Sequence, residues 1–244
     1  SLVEYNSGDY TAYLENVFSD DPEFRAAIRQ WGDEERQHGM ALKAWVERVD
    51  PSFDFESALN RFRSAYRIPV DATESVRGSK GRELIARCVV ESGTSSFYAS
   101  LANSTNEPVL KQICRWIAQD EVAHFNLFFA HFQRYQRTEK VRRLARLKVV
   151  LERIFEVDDE ELCFAYAAAH REHPIERGDL DQFRKEYFAR AFAVYRPQSL
   201  RLGLGLAIKA SGVPVPPKLQ DGFARWGTKL IHFSARRNQA ALVG

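Results

Sequence analysis

Three cysteines, Cys88, Cys114 and Cys163, with no paired Cys-x-x-Cys spacing, leave this 244-residue chain without a disulfide framework or a cysteine zinc site. The odd set fits buried core thiols in a reducing compartment, so the expected location is cytoplasmic. No run approaches the length of a transmembrane helix, and the first fifty residues are too charged for a signal peptide; the opening Ser-Leu-Val-Glu reads as the middle of a helix, as if the start were trimmed. Excess charge is also lacking. The 35 Lys+Arg against 33 Asp+Glu give a formal net charge of +2, and with no zinc-finger spacing or RNA-binding aromatic signature, nucleic acid is not an expected partner. Strand-like alternation is scarce, the Gly203/Gly205 stretch lacks the context of a nucleotide loop, and scattered Ser, His and Asp residues establish no hydrolase triad.

What the chain has is helical periodicity and, at 45% hydrophobic residues, enough apolar side chains for a substantial core. Residues 2–18 are helical in period despite Gly8, and Ser19-Asp-Asp-Pro22 supplies both a stop and a start. A second helix runs from Glu23 to about Val49, where Pro51 ends it. Residues 52–80 read as a long connection with one short helix; long helices follow at about Arg82–Ala102 and Val109–Gln136, with the turn at 103–108 between them. Two hairpins joined by one long crossover predict an all-α, ferritin-like four-helix bundle over residues 1–137. Residues 138–244 are expected to add a helical C-terminal extension, with helices near 139–156, 159–171, 179–195, 199–210 and 219–234.

Charge is unevenly placed within this plan. Beyond position 200, Arg201, Lys209, Lys218, Arg225, Lys229, Arg236 and Arg237 face only Asp221, a pattern suited to an acidic partner, an anionic membrane surface or plain solvation. Arg134, Arg137, Lys140, Arg142, Arg143, Arg146 and Lys148 form a second basic series, either a platform for an acidic carrier protein or electron donor or a solubilising surface.

Two short blocks carry the chemistry. Glu35 and His38 are three residues apart, as are Glu121 and His124, and on a helix that spacing puts each pair on one face. Carboxylate and neutral imidazole are suitable iron ligands, and in a bundle two such helices are joined by a glutamate from each remaining helix. Glu91 lies about 14 residues before the turn near 105 and Glu121 about 16 after it. Glu4 lies about 16 residues before the turn near 20 and Glu35 about 15 after it, whereas Glu15 would sit roughly 15 Å away along its helix. The expected metal ligands are therefore Glu4, Glu35, His38, Glu91, Glu121 and His124 around two Fe ions, with bridging and terminal roles left open. Thr94, one turn after Glu91, is placed to put a hydroxyl beside the metals, and Asp120 to accept a hydrogen bond from the distal nitrogen of His38. Phe97 and Tyr98 either line an entrance or pack in the core.

On Glu34-Glu35-Arg36-Gln37-His38-Gly39, Asp120-Glu121-Val122-Ala123-His124 and Glu91-Ser92-Gly93-Thr94, the chain resembles the soluble acyl-carrier-protein desaturases over about residues 1–135. The resemblance implies a diiron oxidoreductase using O2 as cosubstrate and an external, ferredoxin-like electron donor. It further implies an acyl carrier protein or acyl thioester as partner, and a homodimer. Thr94 would then serve oxygen activation or proton delivery, and Asp120 would link to His38 on a path of electron entry. Alternatives of other kinds are a diiron hydroxylase or N-oxygenase of another hydrophobic substrate, and a non-catalytic metal-handling or structural protein.

Overall fold

The computed structural model of the chain describes residues 1–156, 160–173, 175, 178 and 180–243. Among them are eleven helices and no strand: α1 (Leu2–Tyr5), α2 (Ser7–Val17), α3 (Pro22–Val49), α4 (Phe55–Ala65), α5 (Lys80–Ser104), α6 (Pro108–Glu139), α7 (Arg143–Phe155), α8 (Glu160–His170), α9 (Leu180–Ala193), α10 (Pro197–Ser211) and α11 (Pro217–Val243). The long hairpins α2/α3 and α5/α6, the crossover bearing α4, and the further C-terminal helices match the ferritin-like, all-α class expected from the sequence. The expected starts at 159 and 179 fall outside the described residues, and α11 runs nine residues past its expected end at 234, to Val243. Chain contacts divide the molecule into two units: the described residues of Ser1–Thr73, Asp158–Arg190 and Ala235–Gly244, and those of Glu74–Val157 and Ala191–Ser234.

In the first unit, the α2/α3 hairpin turns at Asp21, whose carboxylate accepts from the Phe24 backbone N–H (3.1 Å) just ahead of Pro22 at the first helical position. Leu14, Val17, Phe18, Phe24 and Ile28 are fully buried, with the Phe18 and Phe24 rings 4.3 Å apart. The single helix expected over 2–18 is instead broken at Asn6. Its side chain donates to Asp9 Oδ2 (3.0 Å) and accepts from Arg63 Nε (2.8 Å), bonds that compete with the helical ladder. Arg61 donates twice to the Ala168 carbonyl (2.9 and 3.1 Å), so α4 carries a cation to the C-terminal turn of α8.

In the second unit, Glu107 caps α6 and Ser79 caps α5. Glu139 returns to the N-terminus of α5, accepting from Ser79 Oγ (2.7 Å) and the Gly81 N–H. Leu84, Ile85, Cys88, Phe125, Phe128 and Phe132 fill the core. Arg146, read as part of a basic platform, serves structure. Its guanidinium donates to the Ala210 carbonyl at the end of α10 (2.9 and 2.7 Å) and lies 4.7 Å from the centroid of the Phe132 ring. All three cysteines are free and buried. Burial pushes the Cys114 thiol up to about 11 and raises Cys88 further, which keeps both protonated and inert.

The helix α10 lies against α5 because Gly203 has no side chain. A Cβ there would stand 2.5 Å from the Ser92 carbonyl oxygen and 2.8 Å from Ser96 Cβ, while Ser96 Oγ donates to the Ser199 carbonyl (2.9 Å). Gly203→Ala is therefore expected to destabilise the protein by about 2 kcal/mol, through forced separation of the two backbones. Urea unfolding of the variant measures this, and an unchanged midpoint would refute so close an approach.

Candidate metal-ligand clusters

Each unit carries one cluster of Glu and His. In the first unit, Glu35 and His38 project from α3 and Glu4 from α1; a donor atom of each lies within 4.8 Å of the other two. Glu35 and His38 are buried and Glu4 half-buried, with His38 Nδ1 at 3.5 Å from Glu35 Oε2. Glu15, the competitor to Glu4, lies near the turn and forms a salt bridge with Arg29 (2.6 Å).

Glycine makes this cluster possible. Gly39 follows His38, and a Cβ on it would meet the Tyr5 backbone nitrogen at 2.4 Å, so α3 lets the α1 backbone, and with it Glu4, come into contact. Two turns earlier Gly32 repeats the device, its missing Cβ 2.2 Å from Thr11 Oγ1, and the Gly32 carbonyl accepts from Ser7 Oγ (3.1 Å). Gly39 stands in the first ligand block of the sequence, but the need for glycine there comes only from the neighbouring backbone.

In the second unit, Glu91 on α5 meets Glu121 and His124 on α6, each 1% exposed, again with a donor atom of each within 4.8 Å of the others. His124 Nδ1 is 3.9 Å from Glu91 Oε2 and 3.9 Å from Glu121 Oε2. Divalent ions of the first transition row bind nitrogen and oxygen at about 2.0–2.2 Å, so two ligands of one ion stand roughly 3–4 Å apart. The histidine-to-carboxylate spacings in both units fall in or beside that range, whereas they exceed an ordinary hydrogen bond. The donor set fits as well: carboxylate and imidazole suit iron, and a cation offsets the cost of burying carboxylates.

Thr94 joins the second cluster. Its Oγ1 lies 2.7 Å from Glu121 Oε2 and 3.2 Å from the carbonyls of both Val90 and Glu91. One hydroxyl carries one proton, and the shortest, charge-assisted contact takes it, so Thr94 donates to Glu121. Asp120 occupies an exposed position of α6 in the second unit, and His38 belongs to the first. Tyr98 is buried, and Phe97 packs beside it (ring centroids 5.5 Å) and against Tyr195 (6.3 Å).

Gly39→Ala is expected to lower stability by about 2–3 kcal/mol, by overpacking α1 against α3. Because Glu4 rides on α1, the same variant should bind ferrous iron more weakly than wild type. Iron titration of variant and wild type measures the difference; equal affinities would remove Gly39 from the support of Glu4.

An all-helical fold carrying two Glu/His clusters is consistent with a ferritin-like, diiron-binding architecture. Comparison of the chain with protein-family models, with curated proteins and with solved structures finds no match.

Proposed function

We propose that the two clusters together hold a pair of irons, and that the protein is an O2-activating oxidase of a hydrophobic substrate, in its most specific form an acyl chain carried as a thioester. The observation that carries this reading is the Thr94 hydroxyl donating to Glu121. A hydroxyl on a ligand carboxylate orients that ligand at any metal site, and reduction of dioxygen, which consumes protons, gives it a second use. Charge balance supports the pair: four glutamates set against two divalent ions leave no formal excess. Bound iron would supply the dioxygen and C–H chemistry that no side chain here provides.

The residues have separable tasks. Glu35 with His38 and Glu121 with His124 sit at neighbouring positions of long helices, so their donors are held by backbone rather than by mobile loops. Thr94 orients Glu121 and holds a proton at Oγ1. Phe97 follows Thr94 by three residues on α5 and packs against Tyr98 and Tyr195. The acyl thioester rests on the resemblance of Glu91-Ser92-Gly93-Thr94 to the desaturase segment, and an external reductant must deliver the electrons.

Wild-type protein is expected to retain two irons per chain, and Glu121→Ala at most one, by elemental analysis after desalting; two irons in the variant would refute the ligand role. Thr94→Val should keep both irons yet lose on the order of a hundredfold in reductant-driven O2 consumption. Unchanged turnover would take Thr94 out of the chemistry. With acyl thioesters, O2 and a reductant, a new double bond supports desaturation and oxygen-18 in the product reassigns the reaction to hydroxylation. Iron binding without O2 consumption under any reductant would sink the oxidase reading.

A further inference from the structure

The helix α11 has two contrasting faces. Ala224 and Thr228 are buried, and small enough to let the helix lie close on its own unit. On the opposite side Leu219, Phe223, Trp226, Leu230 and Phe233 recur at alternating spacings of four and three and are between 46% and 64% exposed. At 3.6 residues per turn these five fall within an arc of about 80° and extend over roughly 21 Å. An apolar stripe of this regularity in water is costly and marks an interaction surface.

Charge lies along one edge of the stripe. Lys218, Arg225 and Lys229 are exposed and share that flank, while Asp221, the one acid in the sequence of α11, pairs with Arg201 (2.7 Å). Beside the flank opens a groove of about 530 Å3, whose walls include Arg196, Pro197, Arg225, Trp226, Lys229 and His232. Trp226 belongs to both groove and stripe.

We propose that the outer face of α11 and this groove, whose walls are almost wholly apolar, bind an anionic phospholipid surface, the stripe and groove entering the acyl boundary and the exposed Lys218, Arg225 and Lys229 meeting the phosphate headgroups. Leu, Phe and Trp on one side with Lys and Arg beside them is the chemistry of a helix lying in a bilayer interface. No helix among the described residues is long and apolar enough to cross a membrane, so the contact is peripheral. A second copy of the chain is the less favoured occupant, because antiparallel pairing across a two-fold sets the basic flank against itself.

Vesicle flotation of the full chain tests this, with phosphatidylcholine alone and mixed with phosphatidylglycerol. Wild type is expected to float with the mixed vesicles only, and to be released by salt. Arg225→Gln with Lys229→Gln should weaken binding about thirtyfold, from the usual contribution of a basic residue at an anionic surface. Trp226→Ser with Phe233→Ser should abolish flotation while circular dichroism and the thermal midpoint stay as in wild type, since both side chains point outward. Failure of wild type to float, flotation indifferent to lipid charge, or retained binding in the Ser variant would each overturn the proposal. So would a dimer in sedimentation that the Ser variant dissociates while no species binds vesicles. None of these readouts depends on iron or on O2 consumption.

Discussion

A carboxylate moved from water into a packed helical interior is penalised by several kcal/mol, and the second unit moves two of them to within 4.8 Å of each other. Even a protonated His124 would leave that cluster with net negative charge. Apolar packing of the surrounding phenylalanines adds to stability elsewhere but cannot screen it. A bound cation can, and the rest of the site reads as the means of holding donors at ligand spacing until one arrives. Long helices fix Glu121 and His124 one turn apart, the tight 105–107 turn brings Glu91 to their level, and Thr94 satisfies one oxygen of Glu121.

Close helix approach is achieved in both units by the same means. Gly32 and Gly39 admit α2 and α1 in the first unit; Gly203 admits α10 to the serine-lined face of α5 in the second. Backbones this near make little use of interlocking large side chains, so the position of Glu4 depends on the absence of a methyl group as directly as on any contact. The same economy operates on α11, where buried Ala224 and Thr228 draw the helix inward and leave its large side chains outside.

The second unit carries both a buried cluster of Glu and His and, on α11, an amphipathic face. The functions proposed for them are compatible, since a hydrophobic substrate would be concentrated by lipid rather than by water.

The hairpins were legible because their signals are local. Period 3.6, Asp21-Pro22 and Glu107-Pro108 state where helices begin, and a three-residue spacing states that Glu35 and His38, or Glu121 and His124, share a face. Counting from each turn nominated Glu4 rather than Glu15, and Glu91, as candidate ligands, and donor atoms of both lie in Glu/His clusters. What the sequence could not say is what each face meets. Asn6 breaks its helix because Arg63 reaches it from α4, Arg146 leaves the basic surface to close α10, and Gly39 must be glycine because Tyr5 stands against it. The stripe from Leu219 to Phe233 has the periodicity of a core face, yet it faces water. Periodicity is a property of one helix, whereas burial, proton direction and close approach belong to pairs of elements, and those pairs exist only once the chain has folded.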